Sequence, residues 1–169
     1  MDGFDLPDAD GKQHFLCKEL GVTLLYKDCS FRYSFIVGEY SNLSPPAKAI
    51  ARWVMRKLHG LRFEDKPGDI AQQYVIDVIK EVQAICFSEC GKAAIAYKGG
   101  KFERDILRKA NIPHYNLEIV GCPSYNKLID MYDVISAPTC GLHCYAREDV
   151  RVHCPVAETM LFRKWLLCE

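Results

Sequence analysis

Five soft or borderline metal ligands fall within fifteen positions near the C-terminal end of the chain, in Cys140-Gly-Leu-His143-Cys144 and in His153-Cys154. Thiolate and imidazole are the groups that Zn²⁺ prefers, and a Cys-x2-His pair can set both donors on one side of a tight loop that Gly141 allows to turn. A cysteine at the far end of the loop supplies a third donor. A structural site takes four, so the last ligand comes from Cys144, from His153 or from elsewhere in the fold, and spacing alone does not choose. The competing reading is a set of ordinary buried thiols beside a turn histidine. Three ligand positions at loop spacing favour zinc over it. Cys17, Cys29, Cys86, Cys90, Cys122 and Cys168 stand singly on apolar stretches and are expected in the core. Nine cysteines in 169 residues is about 5%, too sparse for a disulfide scaffold.

A second constellation overlaps the first. His153 is separated by four residues from Glu158, which opens a helical run. Exonucleases of the DEDDh type use such a pair, the histidine as general base on water and the acid as ligand to a divalent metal. They also need an acid-x-acid pair on the first strand, and the matching segment here is Phe15-Leu-Cys17-Lys18-Glu19, which keeps the second acid alone. Placing Cys17 and the ammonium of Lys18 there removes negative charge where two cations would need it. Glu103 and Asp105 lie where a third acid would, on a helix among Lys101, Arg104 and Arg108, and a solvated helix face accounts for them better.

These residues together resemble the Maelstrom domain, a branch of the RNase H-like fold in which the exonuclease acids are mostly lost and a Glu-Cys-His-Cys zinc set is retained. The family's glutamate matches Glu19 in Lys18-Glu19-Leu20-Gly21, and its other ligands match Cys140, His143 and Cys154. The loop between His143 and Cys154 is longer than is usual for the family, so His153 stays an alternative to Cys154. Softer matches are the segments Ala94–Lys98, Asn116–Glu118 and Cys154–Glu158. The likeness spans residues 15–166, and the four ligands are its specific part.

The resemblance implies one structural Zn²⁺, since four protein ligands leave no open position for water. It also implies a role in small-RNA (piRNA) silencing of transposons, with single-stranded RNA bound and in some members cleaved, and silencing proteins as partners. Two alternatives stand beside it. One is a degenerate nuclease fold that serves as a protein-interaction module. The other is an active DEDDh-type 3′-5′ exonuclease using Glu19, Asp105, His153 and Glu158 with Mg²⁺ or Mn²⁺.

Charge sets limits on any RNA contact. Twenty-two basic and twenty-two acidic side chains cancel, which excludes a strongly basic arm and requires a local patch. Lys98, Lys101, Arg104 and Arg108, near Tyr97 and Phe102, are the candidates, and Lys98 and Lys101 flank Gly99-Gly100, whose backbone could approach a phosphate. Arg52, Arg56 and Lys57 form a second basic group on a helix.

The elements that must position these residues follow from pattern. Residues 1–12 carry four aspartates within the first ten positions and no clear periodicity, so a disordered leader is expected, with the domain over 13–169. His14–Tyr26 and Ser30–Tyr40 read as an antiparallel hairpin. Ser44-Pro45-Pro46 starts a helix that runs to His59-Gly60, read as its C-cap. Pro67-Gly68-Asp69 opens a second helix with Ile70 on its apolar face, ending near Cys86. Ala93–Tyr97 and Tyr115–Val120 read as core strands, with a helix at Lys101–Ala110 between them. A short helix to Tyr132 follows, and Val156–Leu167 forms a last helix against the sheet.

The fold class is therefore α/β, RNase H-like, with a mixed five-stranded sheet flanked by helices. No apolar run approaches the ~18 residues of a membrane span, so no membrane partner is expected. The first eleven residues are acidic and broken by glycine and proline, unlike a secretory signal, and an intracellular location, cytoplasmic or nuclear, is expected.

Overall fold

The computed structural model describes residues 1–27, 29–64, 70–91, 94–133, 140, 142–143, 146 and 152–168, and the side chain of Cys90 is left aside. The expected start at Pro67-Gly68-Asp69, and the candidate ligand Cys144, lie outside the described residues.

The chain is α/β with a mixed sheet, as its alternation of patterns requires. Strand β1 (Asp2–Pro7) pairs antiparallel with β2 (Gln13–Thr23), which pairs antiparallel with β3 (Ser30–Ile36), and β3 pairs in parallel with β4 (Ile70–Ala71). The hairpin is as expected. The disordered leader is not: residues 2–7 form an edge strand whose Asp2, Phe4 and Leu6 alternate inward, and Phe4 is fully buried. Its physical cause is a period-two pattern hidden under the acids. Asp8 instead builds the turn, its Oδ1 accepting from the backbone N–H of Asp10 at 2.9 Å and of Lys12 at 2.8 Å.

The sheet also differs from the expected five strands. Strands β5 (Ile95–Tyr97) and β6 (His114–Asn116) form a separate two-stranded parallel sheet. The strand expected at Tyr115–Val120 stops at Asn116 because that side chain accepts from the Glu118 N–H at 3.0 Å and folds residues 117–121 into turns. Ile119 is 84% exposed as a result. Likewise Ile70 and Ala71 extend along β3, through Phe35 and Ile36, before a 3-10 turn leads into α2 (Val75–Cys90). The Gln72 side chain holds this corner. Its Oε1 accepts from the Cys17 N–H at 3.0 Å, and its Nε2 donates to the Ile36 carbonyl at 3.1 Å.

The remaining helices are α1 (Pro45–Lys57), α3 (Lys101–Lys109), α4 (Tyr125–Met131) and α5 (Pro155–Leu166), close to the expected ranges. Among the described residues, three apolar groups fill the interior. Phe4 and Leu6 pack on Ala47, Ala51 and Val54 of α1, Leu20 and Phe35 pack on Val75, Val78 and Ile79 of α2, and Leu128 of α4 packs with Leu161 and Phe162 of α5. Helix α5 crosses β2 so closely that a Cβ on Gly21 would stand 2.4 Å from the Pro155 carbonyl carbon. That contact brings the start of α5, and Cys154 just before it, against the first long strand. No helix among the described residues is long and apolar enough to cross a membrane.

Candidate metal centre

Glu19 sits on β2 with its side chain turned into the interior and no exposed surface. A lone carboxylate in that position is costly unless a cation or donors meet it. Those that meet it come from the other end of the chain. Cys140 Sγ lies 2.8 Å from Glu19 Oε1, and His143 Nε2 lies 3.0 Å from Glu19 Oε2. Cys154, fully buried at the start of α5, completes a group of four whose ligand atoms all lie within 4.8 Å of one another.

The donor chemistry of this group fits a cation. His143 Nε2 and Glu19 Oε2 approach without the alignment of a hydrogen bond, so each remains a buried polar atom without a hydrogen-bond partner. Cys154 is held well below the usual thiol range, first by its hydrogen bond with Cys140 and then, against burial, by His143. Cys140 is pushed far above that range by the same bond to Cys154, by burial and by Glu19. The two thiols and the carboxylate thus contend for a single thiol proton, and a divalent cation would satisfy all of them at once. A tetrahedron with zinc-type bond lengths has edges of roughly 3.3–3.8 Å, within the span of the cluster. A metal ion can be held here by Glu19, Cys140, His143 and Cys154.

The imidazole is aimed by a third element. His143 Nδ1 hydrogen-bonds the carbonyl of His59, directly after α1, which fixes the tautomer that presents Nε2 to the cluster. His59 is itself buried, with Nε2 donating to the Gly3 carbonyl at 3.1 Å and Nδ1 accepting from the Leu61 N–H at 3.1 Å. Gly60 adopts φ +66°, and a Cβ there would stand 2.6 Å from the His143 carbonyl oxygen. The His59-Gly60 pair, read from sequence as a helix cap, is also the support of a ligand. A histidine before a glycine at a helix end carries no signal that separates these roles.

His153, the alternative fourth ligand, points elsewhere. Its Nδ1 lies 3.0 Å from Asp2 Oδ1 and its Nε2 3.3 Å from Glu158 Oε1. Burial works against the charged ring, but these two carboxylates prevail and raise His153 to about 10. Asp2 is correspondingly lowered against its burial by the bond to His153. Asp2 was hidden in the supposed leader, and its inward period with Phe4 and Leu6 was the signal available.

Of the exonuclease set, the structure brings His153 and Glu158 together and leaves the other two apart. The Glu19 carboxylate is engaged by Cys140 and His143, and Asp105 is half-exposed beside Arg104 at 3.5 Å. Glu103, two residues earlier in α3, is the acid that faces the cleft with His153 and Glu158. On the basic side, Lys98 pairs with Glu118 at 3.4 Å, while Lys101 and Arg108 are exposed. The Glu103 carboxylate folds over the start of α3, where a Cβ on Gly100 would meet Oε2 at 2.6 Å, so the positive end of that helix already has an anion.

Against protein-family models, curated proteins and solved structures, the chain has no significant match.

Proposed function

We propose that this chain is a Maelstrom-type, RNase H-like domain that holds one structural Zn²⁺ and acts on or binds single-stranded RNA in small-RNA silencing of transposons, alongside silencing proteins. The observation that carries the reading is the convergence of Glu19, Cys140, His143 and Cys154 within 4.8 Å, across 121 positions between Glu19 and Cys140. These are the four positions that the family's ligand set matches, and chance offers no reason for a buried strand glutamate to meet them. Two thiolates, an imidazole and one carboxylate suit zinc better than magnesium or calcium, which take oxygen donors. With four protein ligands the metal's contribution is to fasten the loop before α5 to β2. Chemistry on RNA then falls to other residues.

The test has two parts. Elemental analysis of the purified chain is expected to give one zinc per molecule. Fluorescence anisotropy with a labelled single strand is expected to show binding that weakens steeply with salt, because Arg52, Arg56, Lys101 and Arg108 offer exposed cations to phosphates. Zinc below stoichiometry in protein expressed with ample metal would sink the metal assignment. Absence of RNA binding at low salt, with a silencing protein recovered in stable complex, would shift the reading to the interaction module.

A further inference from the structure

The cleft beside the metal centre, about 610 Å³ in volume, is used by nothing described so far. Its size lies in the range of small-molecule sites. One wall is polar: Asp2, Glu103 and Glu158 all line it, with His153 between Asp2 and Glu158. Asp2 is only 9% exposed, and while Oδ1 holds His153, Oδ2 is buried with no hydrogen-bond partner. A carboxylate oxygen so placed lacks a donor, and leaving it unpaired is costly. Phe15 and Phe102 also line the cleft, their rings stacked on each other 4.2 Å apart at 12°, so that an occupant can meet the pair at an outer face. Lys57, at the end of α1, adds a cation to the lining.

Each feature specifies part of a guest. Glu103 is met by the Met1 ammonium at 3.4 Å, whereas Asp2 Oδ2 has no hydrogen-bond partner and asks for a donor such as a hydroxyl; an aromatic face asks for a planar heterocycle; the lysine asks for an anion. A ribonucleotide carries all three. We infer that this cleft binds one nucleotide of an RNA strand, its ribose 2′-hydroxyl donating to Asp2, its base against the outer face of the Phe15–Phe102 stack, and its phosphate toward Lys57. The inference rests on the RNA reading above and deepens it, since a carboxylate that accepts from the ribose would make the site select RNA over DNA.

The experiment titrates the full chain with AMP and with 2′-deoxy-AMP, following amide chemical shifts, and repeats both with the Asp2→Asn protein. Zinc content and circular dichroism serve as checks that this isosteric variant folds. The expected result is millimolar or tighter AMP binding that weakens about tenfold or more without the 2′-hydroxyl and by a similar factor in Asp2→Asn. Equal affinity for the two nucleotides, or no AMP binding at millimolar concentration, overturns the inference even where Asp2→Asn fails to fold. A chain that binds single-stranded RNA but not AMP loses the cleft and keeps the RNA reading. A chain that binds AMP with the ribose preference but no RNA keeps the cleft and loses that reading.

Discussion

The side chain of His143 is oriented by the main chain of His59, its Nδ1 bonded to the His59 carbonyl across 84 positions while Nε2 faces Glu19. The turn after α1 is therefore part of the candidate metal centre, although none of its residues belongs to the cluster of four. Ligand geometry here depends on three segments meeting: β2 for Glu19, the turn after α1 for the orientation of His143, and the start of α5 for Cys154.

Gly60→Ala tests that dependence. The added methyl meets the His143 carbonyl oxygen at 2.6 Å and the Ala146 nitrogen at 2.7 Å, in a backbone conformation that L-residues rarely adopt. The expected cost is roughly 2–3 kcal/mol in stability, with metal affinity lowered roughly tenfold as supported ligands lose their orientation. Gly91→Ala is the control. It has nearly the same φ, +67°, with nothing within 4 Å of the new methyl, so it should cost about 1 kcal/mol and leave chelator competition unchanged. Equal metal affinity in the two variants would separate the His59 turn from the site.

Removing a ligand should have a larger and more specific effect. Cys140→Ser, His143→Ala and Glu19→Gln are expected to lose stoichiometric zinc and to melt at the temperature of chelator-treated protein, because binding energy that stabilises the native state disappears. Cys17→Ser alters a thiol more deeply buried than Cys140, on the same strand as Glu19, that stands outside the cluster. It should lower stability while keeping full zinc content, as measured by elemental analysis after dialysis.

The ligand set was legible because Cys140, His143 and Cys154 share one stretch of chain, but Glu19 carried no local mark as a ligand and entered through resemblance alone. Helices α1, α3 and α5 could be read from apolar period and caps. The losses came where one side chain redirected the backbone: Asn116 turned a strand into turns, and Gln72 locked a corner before α2. Asp2 and Phe4 were missed because acidic composition masked an alternation only three inward residues long.

Strand β1 should accordingly behave as core. Phe4 is fully buried, edge-on to His59 at 5.1 Å between ring centres and to Phe63 at 5.0 Å. Phe4→Ala is expected to cost about 3–5 kcal/mol, read by urea denaturation. A loss below about 0.5 kcal/mol, the level of a surface substitution, would return residues 1–12 to the status of a leader.

Metal uptake should release protons and weaken on acidification. In the metal-free cluster Cys140 is pushed well above the usual thiol range by its bond to Cys154 and by burial, and His143 is raised to about 10, burial being outweighed by Cys154 and Glu19. Both groups are therefore protonated at neutral pH, whereas Cys154 is already a thiolate. A bound metal requires a thiolate at Cys140 and a free lone pair on His143 Nε2, so roughly two protons leave per ion at neutral pH. Each proton released makes affinity fall about tenfold for every pH unit lost. Calorimetric titration with zinc in two buffers of different ionisation enthalpy measures the number directly. Release of no protons would mean that Cys140 and His143 are not both ligands.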